Sequence, residues 1–460
     1  MATLTFLGAA QTVTGSRHLI TTRAGQRVLI DAGLFQGKKE LRQRNWAPWT
    51  HGPIDCVVLT HAHIDHTGYL PRLVAQKLVK RAVCTRGTKE LAELLLPDSG
   101  HIQEEDARNA NRHGWTKHEP ALPLYTEDEA WTAVRLLEPH PYERPVEVVP
   151  GVTVTFRPAG HIVGSAFLDV TLHDGGPERR VVFSGDLGRF DAPLIIDPVP
   201  PKPCDVLILE TTYGDRQHPA EPSHELLARL INEAISRGGP LLIPAFAVGR
   251  TQELLFLWRK LEEEKRVPVV DLFVDSPMAN DATDIYLRNR EDLDPDVRDL
   301  LQHRQAPLSP ARLVRVRGGR ESAALLERKG FFAVIAASGM ATGGRILSHL
   351  ERHLPSPSTT VLLVGYQAEE TRGRRLLEGA QEVKMHGGMV PVRAKIEQLT
   401  GFSAHADFAE EERWLSALQT PPQQTYLVHG EPKALVAQTQ RLSGKGWQVR
   451  APQPGDVVEL

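Results

Sequence analysis

Four apolar runs of strand length in this chain each give way to a residue with a lone pair to offer. Val57-Val58-Leu59 leads into the stretch HAHIDH beginning at His61, VTVTFRPAG leads to His161, VVFSG to Asp186, and TYLV to His429. Burying ionisable groups without partners is costly, so a repeated pattern of this kind asks for a fold whose strand ends meet along one edge. In HAHIDH, His61 and His63 reach one divalent ion from the same side of an extended turn. Asp65 and His66, at the start of the next helix, point toward a second. Neutral imidazole and ionised carboxylate are the usual ligands of a borderline ion. Asp186 is the natural bridge, because one carboxylate can give an oxygen to each ion. The expectation is two Zn(2+) per chain. His61, His63, His161 and Asp186 would hold one, and Asp65, His66, Asp186 and His429 the other. Asp31, which ends the strand RVLI, is expected to accept a hydrogen bond from a ligand imidazole and fix its tautomer.

The surrounding texture indicates how the strands are organised. LTFLGAA, HLITT and QRVLIDAGLFQG alternate short apolar runs with turn residues and read as antiparallel strands. Helical spacing appears from about Thr88 to Leu96 and from Glu127 to Leu137. Beyond Tyr213 the grammar changes. GGPLLIPAFAVGRTQELLFLWRKLEEE, FFAVIAASGMATGGRILSHLERHL and TTVLLVGYQAEETRGRRLLEG each run strand, turn, helix, the mark of a parallel, Rossmann-like sheet. VPVRAKIEQL and QTYLVHGEP then return to short strands. One domain interrupted by another is expected: residues 1–210 and 381–460 form the first, and 211–380 the insertion.

Composition narrows the class. A chain of 460 residues has room for two or three cores, and 24% charged residues fit a globular protein. A net charge of -3 excludes a histone-like binder but leaves room for a local basic groove. Cys56, Cys84 and Cys204 are too few and too scattered for a disulfide framework, which fits a reducing compartment. Residues 1–30 show no basic start followed by an apolar stretch, and no apolar run of about 18 residues spans a membrane. A cytoplasmic protein without membrane partners is expected.

The succession of Asp31, HAHIDH, His161 and Asp186 resembles the metallo-β-lactamase fold, an αββα sandwich with a metal site at one edge. The later LETTYG, GFSAHAD and LVHGE resemble three further motifs of its β-CASP branch, nucleases of RNA processing and DNA repair that carry an inserted domain. The chain is similar over essentially its whole length to compact prokaryotic relatives of the pre-mRNA 3′-end endonuclease. The resemblance implies an α/β protein: the sandwich with an inserted Rossmann-like β-CASP domain.

The resemblance also implies a reaction. It gives the histidine of GFSAHAD, here His405, the role of general acid, supported by the acid of LETTYG, here Glu210. Asp65 would help hold the attacking water as well as bind metal. RNA-acting members resemble one another in having His at the last motif and DNA-repair members in having Val, so His429 favours RNA. The expected activity is a zinc-dependent ribonuclease, internal or also 5′-exonucleolytic. The competing readings are a DNA nuclease of the same branch, a small-thioester or lactam hydrolase on the same sandwich, and a non-catalytic RNA-binding scaffold. In the insertion, SGMATGGR follows a strand and opens a helix. Ser338, Gly343, Gly344 and Arg345 are therefore candidates for gripping phosphate, and Arg250 in AFAVGRTQEL offers a similar turn. The competing reading of each stretch is a tight turn with no ligand.

Overall fold

Strands covered on both faces carry continuous apolar runs rather than a polar alternation, and this chain has many of them. In the computed structural model, which describes residues 1–114, 118–219 and 223–460, they build two units. Met1–Phe190, Ile196–Gln217 and His405–Leu460 form the first; Asp191–Ile195 and His218–Ala404 form the second.

The first unit holds two seven-stranded sheets. One runs Val457–Glu459, Thr3–Phe6, His18–Thr21, Arg27–Ile30, Cys56–Val58, Ala82–Thr85, Leu137–His140. The other runs Val449–Arg450, Gln424–Val428, Val206–Glu210, Arg179–Phe183, Ala166–Leu172, Val152–Pro158, Val146–Val149. Successive side chains go to opposite faces. Val28, Ile30 and Val58 enter a core shared with Phe156, Phe183 and Ile208 of the other sheet. Leu29, Val57 and Leu59 turn outward onto Leu70, Leu73 and Ala92. On the far side, Leu207, Leu209 and Leu427 pack against Trp414 and Leu435 from the helices Phe408–Leu415 and Pro432–Gly444. The layers are helix, sheet, sheet, helix. Full burial of such a side chain contributes about 1.5–3 kcal/mol, and a one-residue slip would exchange the two faces, so the pattern holds the register.

The strands read as antiparallel, in LTFLGAA, HLITT and QRVLIDAGLFQG, are so; the strands from Arg27–Ile30 to Leu137–His140 pair in parallel. Parallel neighbours need crossovers, and helices such as Arg86–His113 supply them. One expectation needs correction here: that helix is much longer than Thr88 to Leu96, starting at the cap Thr85 and ending at Gly114 with φ 63°.

The second unit is built on a six-stranded sheet in the order Leu313–Arg315, Leu272–Val274, Ala333–Ala336, Leu241–Pro244, Thr360–Val364, Lys395–Leu399. Every pairing in it is parallel. Each strand–turn–helix stretch read from the sequence is present, the helices being Arg250–Glu263, Ile346–His353 and Arg372–Leu377. The boundary drawn at 380 differs from the structure. Lys395–Leu399 pairs with Thr360–Val364 from Thr360↔Lys395 to Val364↔Leu399, so VPVRAKIEQL closes this sheet and the unit runs to Ala404. A five-residue strand does not announce which sheet will take it. Among the described residues no helix is long and apolar enough to cross a membrane.

Candidate active site

The strand ends converge as the sequence pattern requires. Two stations use the same device: Gly160 and Gly185, immediately before His161 and Asp186, adopt positive φ (71° and 53°) and turn the chain out of its strand. Asp31 and His429 take this region themselves, at φ 58° and 49°. That conformation is sparsely populated for non-glycine residues and concentrates at functional positions.

His61, His63, His161 and Asp186 place one donor atom each within 4.8 Å of the others. His63 Nδ1 lies 3.1 Å from His61 Nε2 and 3.2 Å from His161 Nε2. Asp186 Oδ2 lies 3.4 Å from His61 Nε2 and 3.6 Å from His161 Nε2. An imidazole nitrogen has one lone pair or one proton, so hydrogen bonds cannot satisfy three nitrogens at one point. A four-coordinate zinc with bonds of about 2.0–2.1 Å sets its ligand atoms roughly 3.3 Å apart, which these separations match. The donor set fits a zinc-class ion.

Asp65, His66 and His429 form a second group of the same kind. His66 Nε2 is 3.3 Å from His429 Nε2, and Asp65 Oδ2 is 3.6 Å from His429 Nε2. The other oxygen of Asp186, Oδ1, is buried, makes no hydrogen bond, and lies 3.2 Å from His66 Nε2. Asp186 thus presents one oxygen to each group.

Neighbouring groups select which nitrogen faces inward. Asp31 Oδ2 meets His66 Nδ1 at 2.7 Å, so a proton held there leaves the Nε2 lone pair for a metal. Thr60 Oγ1, which donates to Asp31, stands 3.1 Å from His61 Nδ1. Thr212 Oγ1 donates to Glu210 Oε2 and takes the Nδ1 proton of His429 at 3.1 Å. His429 Nδ1 also lies 3.7 Å from Asp186 Oδ1; the shorter hydroxyl contact decides the tautomer and turns Nε2 to the second group. Sequence reasoning passed over Thr60 and Thr212, although both stand within or beside quoted motifs. It also missed His18, buried at the back of the cluster with Nδ1 unpartnered and lowered to about 4 by burial.

Burial and neighbouring charge act differently on the donors. Burial pushes His63 down to about 3 and lowers His61 and His161, which keeps their lone pairs available at neutral pH. Burial would lower His66 too, but the Asp186 and Asp31 carboxylates raise it well above its ordinary value. Burial acts to raise Asp186, yet His429, His66 and His61 hold it well below the usual carboxylate range.

Beside these groups, His405 Nδ1 lies 3.2 Å from Glu210 Oε1 and 3.9 Å from Asp186 Oδ2. Glu210 is fully buried and accepts the Leu187 backbone N–H at 2.7 Å. Burial alone would lower the His405 imidazole; Glu210 and Asp186 overcome it and lift the ring to about 9. At neutral pH it carries two protons.

The phosphate candidates lie in the second unit. Ser338 Oγ accepts the backbone N–H groups of Thr342 and Gly343, so those two donors are engaged inside the turn. Arg345 donates to Asp275 Oδ1 at 2.8 Å and to the Arg317 carbonyl at 3.0 Å. Arg250 pairs with Glu253 at 2.6 Å. Asp275 is itself buried and also bonded to His349 and Ser322.

Three family profiles match along the chain: the Beta-lactamase superfamily domain over residues 26–237, the Beta-Casp domain over 251–376, and the Zn-dependent metallo-hydrolase RNA specificity domain over 389–452. The chain is 35% identical to Ribonuclease TTHA0252 of Thermus thermophilus, over 98% of this chain and 99% of that protein. It is 30% identical to Transcription termination factor FttA of Methanosarcina mazei, over 94% of this chain and 67% of that one. An RNase J-like protein of Methanocaldococcus jannaschii is 27% identical over 94% and 93%. A solved protein of unknown function from Enterococcus faecalis V583 aligns over the whole of both chains with a TM-score of 0.57 at 14% identity, a likeness of fold alone.

Proposed function

Because the chain belongs to the β-CASP branch of the metallo-β-lactamase superfamily, we propose that it hydrolyses RNA phosphodiester bonds with two zinc ions in one site. The observation that carries this reading is the position of Asp186, one oxygen toward each of two donor groups, with His405 Nδ1 3.9 Å from its Oδ2.

In this reading His61, His63 and His161 would hold one ion, Asp65, His66 and His429 would hold the other, and Asp186 would serve both. When bound, such ions supply Lewis acidity toward a phosphoryl oxygen and make water a nucleophile near neutral pH. Asp65 orients the attacking water. His405 gives its proton to the departing ribose oxygen as the P–O bond breaks, and Glu210 keeps the ring protonated and in place. The phosphodiester thereby yields a hydroxyl end and a phosphate end. Ser338, Gly343, Gly344, Arg345 and Arg250 are assigned to the grip on the RNA backbone. Cleavage within the strand is the main mode and 5′-exonucleolytic trimming a second. Three buried or half-buried free thiols, Cys56, Cys84 and Cys204, suit the cytoplasm.

The test is to incubate the zinc-loaded protein with end-labelled RNA, single-stranded DNA and a small thioester. Cleavage of the RNA with early internal fragments supports the reading. Turnover confined to the thioester or to DNA would overturn it.

A further inference from the structure

Resting on the ribonuclease reading, we infer that Phe246 and Tyr366 form a stacking platform for unpaired bases of single-stranded RNA. Both are in the second unit. The strands Leu241–Pro244 and Thr360–Val364 are parallel neighbours in its sheet, and each aromatic residue stands two positions beyond its strand's last residue. The two rings therefore sit at the carboxyl edge of the sheet, where open parallel α/β sheets bind their ligands. The turn that begins at Ser338 leaves the same edge from Ala333–Ala336, the strand on the other side of Leu241–Pro244.

Exposure singles the pair out. Phe246 is 44% exposed and Tyr366 is 46% exposed. Among the described residues of this unit every other Phe, Tyr and Trp side chain is buried or half-buried. A fold that buries its remaining rings and leaves two at one ligand-binding edge forgoes burial there, and a flat apolar ligand recovers it.

The mounts are rigid, as a stacking surface needs. The Phe246 carbonyl accepts from Thr251 Oγ1 at 2.8 Å, and Ala245 N–H bonds to the Ala336 carbonyl. Gly339 passes so close to Phe246 that a Cβ there would sit 3.0 Å from ring atom Cδ2. The Gly339 carbonyl in turn accepts Nε2 of the buried Gln367, the residue next to Tyr366. One backbone segment thus braces both aromatic positions.

The occupant follows from the chemistry. Every nucleobase has a π-face, so stacking tolerates any sequence, but a base held in a duplex has both faces covered by its neighbours. The platform therefore favours single strands.

The experiment measures binding of full-length, zinc-loaded protein to a cleavage-resistant phosphorothioate oligoribonucleotide, to the same oligomer with abasic positions, and to its duplex. The wild type should bind the based single strand best. Phe246→Ala and Tyr366→Ala should each weaken that binding by roughly 5- to 150-fold, the range for one stacked base, and should reduce the preference for based over abasic oligomer. Phe246→Leu keeps apolar bulk against Gly339, and both it and Tyr366→Leu should lose the same preference; Phe246→Tyr and Tyr366→Phe should retain it. Alanine and leucine variants that keep both affinity and base preference, in a protein that does cleave RNA, would overturn the platform alone. A wild type that neither binds nor cleaves RNA would overturn the ribonuclease reading and the platform with it.

Discussion

His405 Nδ1 and Glu210 Oε1 lie 3.2 Å apart although 195 positions separate them in the chain. The carboxylate is buried, anchored by the Leu187 N–H and the Thr212 hydroxyl, and so cannot turn away from the imidazole. An anchored anion beside a buried ring keeps that ring protonated where an isolated buried histidine would be neutral.

Glu210→Gln should therefore move the alkaline limb of the kcat/KM–pH profile to lower pH. The general acid works in its protonated form, so activity is present below the His405 pKa and lost as pH rises through about 9. Removing the largest charge that raises the value leaves Asp186 to oppose burial, which lowers it. A limb that stays in place in the variant would show that His405 does not set it.

His405→Ala should lower turnover by about 10²–10⁴-fold with metal content unchanged, because His405 belongs to neither donor group and its nearest carboxylate is Glu210 at 3.2 Å. His429→Ala should lose activity and one ion together. Elemental analysis alongside kinetics checks both, and loss of the same ion in the two variants would contradict the separation of acid from ligand.

Wild-type protein purified without chelator should carry two zinc-class ions per chain, and Asp186→Asn should bind both more weakly. Removing the hydrogen bond of Asp31 to His66 by Asp31→Ala should weaken metal binding by about 10- to 100-fold. Clearly less than one ion per wild-type chain would rule out the paired site.

Arg345→Ala should weaken RNA binding and flatten its salt dependence by less than about one log–log unit, since one phosphate on a single strand contributes a slope of about 0.7. Asp275 already neutralises part of the guanidinium, which favours the lower end. Titrations at several salt concentrations measure the slope; unchanged affinity would leave SGMATGGR as a strand-to-helix turn.

Glu411 predicts a stability effect. It is fully buried, accepts from Gln438 Nε2 at 2.7 Å, and burial with the nearby Glu210 charge raises its carboxyl well above 4.5. A group raised on folding contributes stability that is fully present below its unfolded value and lost as pH rises through the folded one. Glu411→Gln should thus melt higher than wild type above about pH 4.5, with the gap growing as pH rises. Equal melting curves at neutral and alkaline pH would show that Glu411 ionises without cost.

What the sequence determined by itself was local. The apolar runs named most of the strands, and the residues behind them marked His61, His63, Asp65, His66, His161, Asp186 and His429 as candidate ligands, because a strand end and its side chain's chemistry are both written within a few positions. Strand–turn–helix periodicity likewise marked the parallel sheet of the second unit. Only the tertiary structure decided which strands pair: Lys395–Leu399 joined the sheet of the second unit, and the strands after Arg27–Ile30 ran parallel. Only it showed that the two oxygens of Asp186 divide between two groups, that Thr60 and Thr212 meet the Nδ1 atoms of His61 and His429, and that Arg345 is tied to Asp275. The reason is physical. Pairing, desolvation and hydrogen-bond direction depend on neighbours brought together across tens to hundreds of residues, and local spacing carries no record of that meeting.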